Sequence, residues 1–128
     1  MTKLSQQGIR LSEADIKATC ESFLYSMMNM DKLVYLRLNS GDLIIGEGKA
    51  KRRVRCCPAG TSDGLVMTCG AKIGRNIFIE YKSPIGKQTP AQVEFDKKVC
   101  GMGFDYWLVS DAQSFIEDIG KILKGEKL

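Results

Sequence analysis

The six residues Ile77-Phe78-Ile79-Glu80-Tyr81-Lys82 constrain the fold of this chain more than any other stretch. Side chains alternate across a strand, so Phe78, Glu80 and Lys82 fall on one face and Ile77, Ile79 and Tyr81 on the other. Both faces begin apolar, and a strand apolar on both sides belongs in the middle of a sheet that is covered on both faces. The neighbouring segments supply the other strands and the covers. Leu33 to Leu38 alternates as a strand, with Val34, Leu36 and Leu38 on one side and Tyr35 and Arg37 on the other, and ends in an Asn-Ser-Gly-Asp turn. Gly64 to Thr68 and Asn76 to Lys82 read as two strands joined around Gly70 to Gly74 and paired as a hairpin.

Helices frame these strands. Ser12 caps a helix from Glu13, with Asp15 as capping-box partner and Leu11 stapled against Ile16. Its apolar stripe is Ile16, Cys20, Phe23 and Met27, and Glu13 extends that stripe back by three residues, so its acid is expected to face inward. Thr89-Pro90 opens a second helix, to about Cys100, with Phe95 and Val99 inward and Gly101 and Gly103 stopping it. Phe104 to Val109 follows as a buried strand whose Phe104 and Trp107 are core residues. Ser110 then caps a last helix with Phe115, Ile116, Ile119, Ile122 and Leu123 as its apolar face. The order α-β-β-β-α-β-α predicts an α/β fold in which a central mixed β-sheet is flanked by helices.

With 128 residues and 44% hydrophobic content, residues 1–128 are expected to form a single domain. No apolar run approaches the roughly 20 residues that cross a bilayer. Met1 to Arg10 is polar and lacks a leader's apolar region, which predicts a cytoplasmic protein without a membrane partner. The five cysteines are odd in number and lack a C-x-x-C spacing, so reduced thiols are expected. The chain contains no histidine. Ser-His and Cys-His nucleophiles and His-ligated metals are thereby excluded, and acid–base chemistry falls to Asp, Glu, Lys or Tyr. A phosphate-binding loop would need lysine after Gly41-x-x-x-x-Gly46, but Glu47 stands there, so no nucleotide cofactor is expected.

Glu80 and Lys82 lie on one face near the end of a buried strand, where an unpaired charge costs several kcal/mol. A structural ion pair is one account of them. The other begins at Asp63, in Gly60-Thr61-Ser62-Asp63-Gly64 at the mouth of the preceding strand, where hairpin pairing would bring it beside Glu80. Two converging carboxylates repel and call for a divalent cation, and an oxygen-only site suits Mg²⁺ or Mn²⁺. A lysine two residues on fits a water-activating role. A plain Ser-Asp-Gly turn would also explain Asp63. Positive charge is concentrated in Lys49, Lys51, Arg52, Arg53 and Arg55, among glycines, as a mobile arm along phosphates or a solvated loop.

Gly60-Thr61-Ser62-Asp63, the sixteen residues between Asp63 and Glu80, Ile79-Glu80-Tyr81-Lys82 and then Gly86-Lys87-Gln88-Thr89-Pro90-Ala91-Gln92 together resemble the VRR-NUC family. These are virus-type replication-repair nucleases, found in phage among other sources, within the PD-(D/E)XK superfamily. The resemblance runs from the Glu13 helix to the final helix and implies a restriction-endonuclease-like core. It implies that Asp63, Glu80 and the Tyr81 carbonyl hold Mg²⁺ or Mn²⁺, with Glu13 as the helix acid. Lys82 would orient the attacking water and Gln92 stand near it, although Thr89-x-x-Gln92 is equally a capping box. Ser62 departs from the proline of the superfamily's name. The implied activity is hydrolysis of DNA phosphodiesters by a dimeric endonuclease on branched DNA such as Holliday junctions, leaving a 5′-phosphate. Lys49, Lys51, Arg52, Arg53, Arg55 and Lys87 would touch nucleic acid. A non-catalytic nucleic-acid-binding module and an RNA-directed nuclease are the alternatives.

Overall fold

The computed structural model describes residues 11–38, 42–69, 74–126 and 128, and the side chains of residues 42 and 55 lie outside that description. The polar N-terminus (1–10), most of the turn at 39–42 and the connection at 70–73 therefore lie outside the described residues.

Helix α1 (Glu13–Asn29) starts at the expected cap: Ser12 Oγ accepts the Asp15 amide at 3.1 Å and the Asp15 carboxylate reaches back to the Ser12 amide at 3.4 Å. Strand β1 (Leu33–Arg37) follows, then a hairpin of β2 (Asp42–Ile45) and β3 (Arg52–Arg55) joined through a single 3₁₀ turn at Gly48–Ala50. Strands β4 (Gly64–Thr68) and β5 (Arg75–Tyr81), helix α2 (Pro90–Gly101), strand β6 (Asp105–Val109) and helix α3 (Ala112–Leu123) complete the order. The main sheet runs β1-β4-β5-β6, with β1–β4 and β4–β5 antiparallel and β5–β6 parallel. The parallel pair needs a crossover, and α2 is that crossover. The chain is thus mixed α/β with a mixed sheet flanked by helices.

β5 sits between β4 and β6, as its two apolar faces require. Ile77, Ile79 and Tyr81 turn toward α1 and α3 and join Leu33, Tyr35, Val66, Val109, Ile16, Cys20, Leu24, Phe115 and Ile119 in the main core. Phe78 turns the other way, where its ring meets Phe95 of α2 at 5.3 Å and Phe104 at 6.0 Å, both edge to face. Fully burying each such aliphatic or aromatic side chain contributes about 1.5–3 kcal/mol, which makes the two faces of β5 the main apolar anchor of the sheet.

Several expectations require correction. The basic segment at 49–55 is no featureless arm, because its arginines form β3, paired to the apolar run Leu43-Ile44-Ile45. In β1, whose alternation left the buried face open, the inward residues are Leu33 and Tyr35, while Val34 and Leu36 are exposed. β6 is half-buried rather than buried, with Leu108 exposed and Trp107 packed edge to face on Phe115, and Phe104, just before the strand, is exposed too. The last helix is capped by Asp111, not Ser110, since Asp111 accepts the Gln113 amide at 3.1 Å. Leu11 remains exposed. All five cysteines are unpaired.

Tyr35 leaves no room for a side chain at Gly64. A Cβ at position 64 would stand 2.5 Å from the Tyr35 ring and 2.6 Å from its hydroxyl, and that ring is buried and cannot swing aside. Gly64→Ala is therefore expected to destabilise the fold by about 2 kcal/mol in urea unfolding. A change under about 0.5 kcal/mol would mean that Tyr35 yields.

Candidate active site

Register alone brings the first two residues together. In the antiparallel β4–β5 pair Gly64 lies opposite Ile79, so the next residue outward on each strand, Asp63 and Glu80, comes side by side. The Tyr81 amide donates to Asp63 Oδ2 at 2.8 Å, and the Asp63 carbonyl accepts the Leu38 amide at 2.8 Å, fixing residue 63 by both side chain and backbone.

The loop before Asp63 is held firmly as well. Gly60 has φ +86, a left-handed conformation that suits glycine, and a Cβ there would collide with the Ala91 carbonyl in the first turn of α2. Thr61 donates its hydroxyl to the Pro58 carbonyl at 2.6 Å. Ser62, fully buried, donates to the Gly64 carbonyl at 3.1 Å. These bonds shape the turn without a proline before Asp63.

Glu80 is 3% exposed, and its Oε1 is buried without a hydrogen-bond partner among the described residues. Burial, chiefly, pushes its carboxyl up to about 8. The hydrogen-bonded Asp63 carboxyl and its charge push the same way, as does the charge of Glu13, while Lys82 opposes them. Lys82 is half-buried on the same strand face as Glu80, two residues along. Its amide donates to the Val109 carbonyl at 2.9 Å, extending the β5–β6 ladder by one bond. In a trans peptide the preceding carbonyl points the opposite way, so the Tyr81 carbonyl turns from β6 toward the Asp63 side.

The structure therefore brings Asp63, Glu80, Lys82 and the Tyr81 backbone to one place, at the carboxyl ends of parallel β5 and β6 and near the first turn of α2. Open α/β sheets commonly bind ligands at such strand ends. Glu13 does not face the core; it is exposed in the first turn of α1 and reaches Glu80 only through its charge. The Gln92 side-chain oxygen accepts the Thr89 amide at 2.9 Å while Thr89 Oγ1 accepts the Gln92 amide at 3.2 Å, so the structure shows the cap. Lys49, Lys51, Arg52 and Arg53 are exposed on the β2–β3 hairpin, and Lys87 is exposed in the loop before α2.

Sequence reasoning missed Tyr106, Gln88 and Asp96. Gln88 Nε2 donates to Tyr106 OH at 3.2 Å and, at 3.4 Å, to Asp96 Oδ2. The Tyr106 hydroxyl is pushed up to about 12, first by burial and then by the charges of Glu80, Asp96 and Asp63, against the Gln88 hydrogen bond. It thus stands within electrostatic reach of the acid pair. Its place opposite Phe78 comes from the β5–β6 register, which no local sequence signal announces.

Among the described residues no group of three or more Asp, Glu, Cys or His side chains is arranged to hold a metal ion. What the site offers is two carboxylates, one with an orphaned oxygen, beside a backbone carbonyl: hard donors suited to Mg²⁺ or Mn²⁺ with water completing the shell. No protein-family model and no curated protein matches the chain.

Proposed function

We propose that this protein is a metal-dependent endonuclease of the PD-(D/E)XK type with a restriction-endonuclease-like fold, hydrolysing DNA phosphodiesters at the Asp63–Glu80–Lys82 site. The observation that carries this reading is the buried Oε1 of Glu80, without a partner among the described residues and set against a second carboxylate. Such a pair is costly unless a proton or a cation lies between its members.

A divalent cation held by Asp63, Glu80 and the Tyr81 carbonyl would supply a Lewis acid and a more acidic water. The chain's own residues do the rest. Asp63, locked by the Tyr81 amide, fixes the direction from which one carboxylate acts. Glu80, buried, excludes bulk water from the inner side. Lys82, at the strand's end, holds the attacking water and offsets the negative charge that builds on the phosphoryl oxygens. No covalent intermediate is needed, which suits a site without a histidine-activated nucleophile.

DNA would approach along the exposed basic residues of the hairpin and Lys87. Replacing Lys49, Lys51 and Arg52 with glutamine is expected to flatten the plot of log affinity against log salt by about 3, one phosphate contact per charge. Thermal stability should stay within about 0.5 kcal/mol. An unchanged slope would place the DNA elsewhere.

The reading is tested by incubating purified protein with Mg²⁺ or Mn²⁺ and linear, forked and four-way DNA, beside matched RNA. Cleavage of DNA to 5′-phosphate ends supports it. DNA bound but left whole identifies a binding module, and cleavage of RNA alone identifies a ribonuclease. A homodimer, whose two sites would make paired cuts across a junction, belongs to the same proposal, and native mass reports it.

A further inference from the structure

We infer that Tyr35 is a positioning residue for the Asp63–Glu80 pair, acting from the opposite face of the sheet through Gly64 and Tyr81. Tyr35 OH donates to Glu21 Oε2 at 2.7 Å. A phenol carries one proton, so the 3.0 Å bond between the Tyr35 and Tyr81 hydroxyls must be donated by Tyr81. The chain therefore has one direction, Tyr81 to Tyr35 to Glu21, and Glu21 in turn lies 3.4 Å from Arg37 Nε. Both tyrosines are buried, at 2% and 0% exposure, and Tyr25 braces the Tyr35 ring edge to face at 5.4 Å.

The tyrosines belong to the α1 side of the sheet, whereas Glu80 points to the other side, so the link runs through backbone. The Tyr35 ring fills the space that any side chain at Gly64 would need, which fixes the backbone next to Asp63. Its hydroxyl fixes the Tyr81 phenol, and the amide of Tyr81 holds Asp63 Oδ2. Glu80 is the residue before Tyr81. One buried side chain thus touches the chain neighbours of both acids, and the separation of the carboxylates follows from where it sits. Phenylalanine at 35 would keep the ring and lose the direction.

The test uses the full chain with Tyr35→Phe and, separately, Tyr81→Phe. Without divalent ions, hydrogen exchange at the Tyr81 amide is expected to speed up about tenfold in each, while the Phe115 and Ile119 amides of α3 change far less. Mn²⁺ affinity, by calorimetry, is expected to weaken about tenfold, the lower end of what losing a ligand's support costs. The affinity measurement rests on the proposed function; the exchange measurement does not. If wild type binds no Mn²⁺ but Tyr81 exchange responds selectively, the nuclease reading fails and the positioning role stands. Unchanged exchange at Tyr81, equal acceleration at all three amides, or Mn²⁺ binding that is tight and indifferent to both substitutions overturns the inference. Should Tyr35→Phe fail to fold, Tyr81→Phe interrupts the same chain one bond later and decides the matter.

Discussion

Asp63→Asn is expected to reduce metal-dependent cleavage on the order of 10³-fold while leaving the fold intact. The asparagine side-chain oxygen can still accept the Tyr81 amide now bonded to Asp63 Oδ2, so the local geometry has no reason to collapse. What disappears is the charge, and with it half of the carboxylate pair. Lys82→Met should cost roughly 10²–10³-fold in single-turnover rate, because a donor aimed at developing negative charge is lost. Rates in a single-turnover assay, set beside thermal melts of each variant, separate chemistry from folding. Cleavage by Asp63→Asn within tenfold of wild type would move the site elsewhere in the molecule.

The acid pair was legible in the sequence because two periodicities meet there. Strand alternation put Glu80 and Lys82 on one face, and a hairpin between two identified strands leaves little freedom for where Asp63 comes to rest; the Gly64–Ile79 register realises it. The capping boxes at Ser12 and Thr89 were legible for a similar reason, since each is a local hydrogen-bond pair at fixed spacing.

Where the sequence misled, two local signals competed. Ser110 and Asp111 are both good caps, and only one can be the N-cap; Asp111 takes the Gln113 amide and the Ser114 hydroxyl as well. Residues 52–55 read as a charged loop because Gly46 and Gly48 punctuate the segment, yet pairing with Leu43-Ile44-Ile45 draws them into a ladder. Leu33 to Leu38 is apolar in both phases, so alternation alone did not say which face would be buried; it is the face of Leu33 and Tyr35. Glu13 failed as an inward residue because a stripe extended to the first residue of a helix runs past the packed surface. Tyr106 and Gln88 were invisible because their meeting depends on how β6 and the loop before α2 sit together, a tertiary fact.

Without divalent ions the protein is expected to lose stability as pH rises from about 5 to 8, and Glu80→Gln is expected to abolish that loss. The folded carboxyl titrates at about 8 against an ordinary value of 4.5, driven first by burial. Between those values the unfolded chain has released a proton that the folded protein still holds, so the unfolding free energy falls as pH increases. At about 1.4 kcal/mol per unit the loss has a ceiling of roughly 5 kcal/mol: none of it is incurred below about pH 4.5 and all of it is incurred above about pH 8. Glutamine resembles the protonated acid: it is uncharged and can donate a hydrogen bond to Asp63. The variant should therefore lie about 2 kcal/mol below wild type near pH 4.5, the cost of an imperfectly paired amide, and exceed it by roughly 3 kcal/mol at pH 8, the ceiling less that same cost. Taking the difference between the two proteins across pH removes the titrating groups remote from the site and leaves Glu80 together with its coupling to Asp63. Mg²⁺ should raise wild-type stability more at pH 8 than at pH 5, because a bound cation requires the proton to have left, and should do little for the variant. A wild-type-minus-variant difference that stays flat from pH 5 to 8 would mean that Glu80 is ionised throughout, and a buried anion content without a cation would remove the physical reason for placing one there.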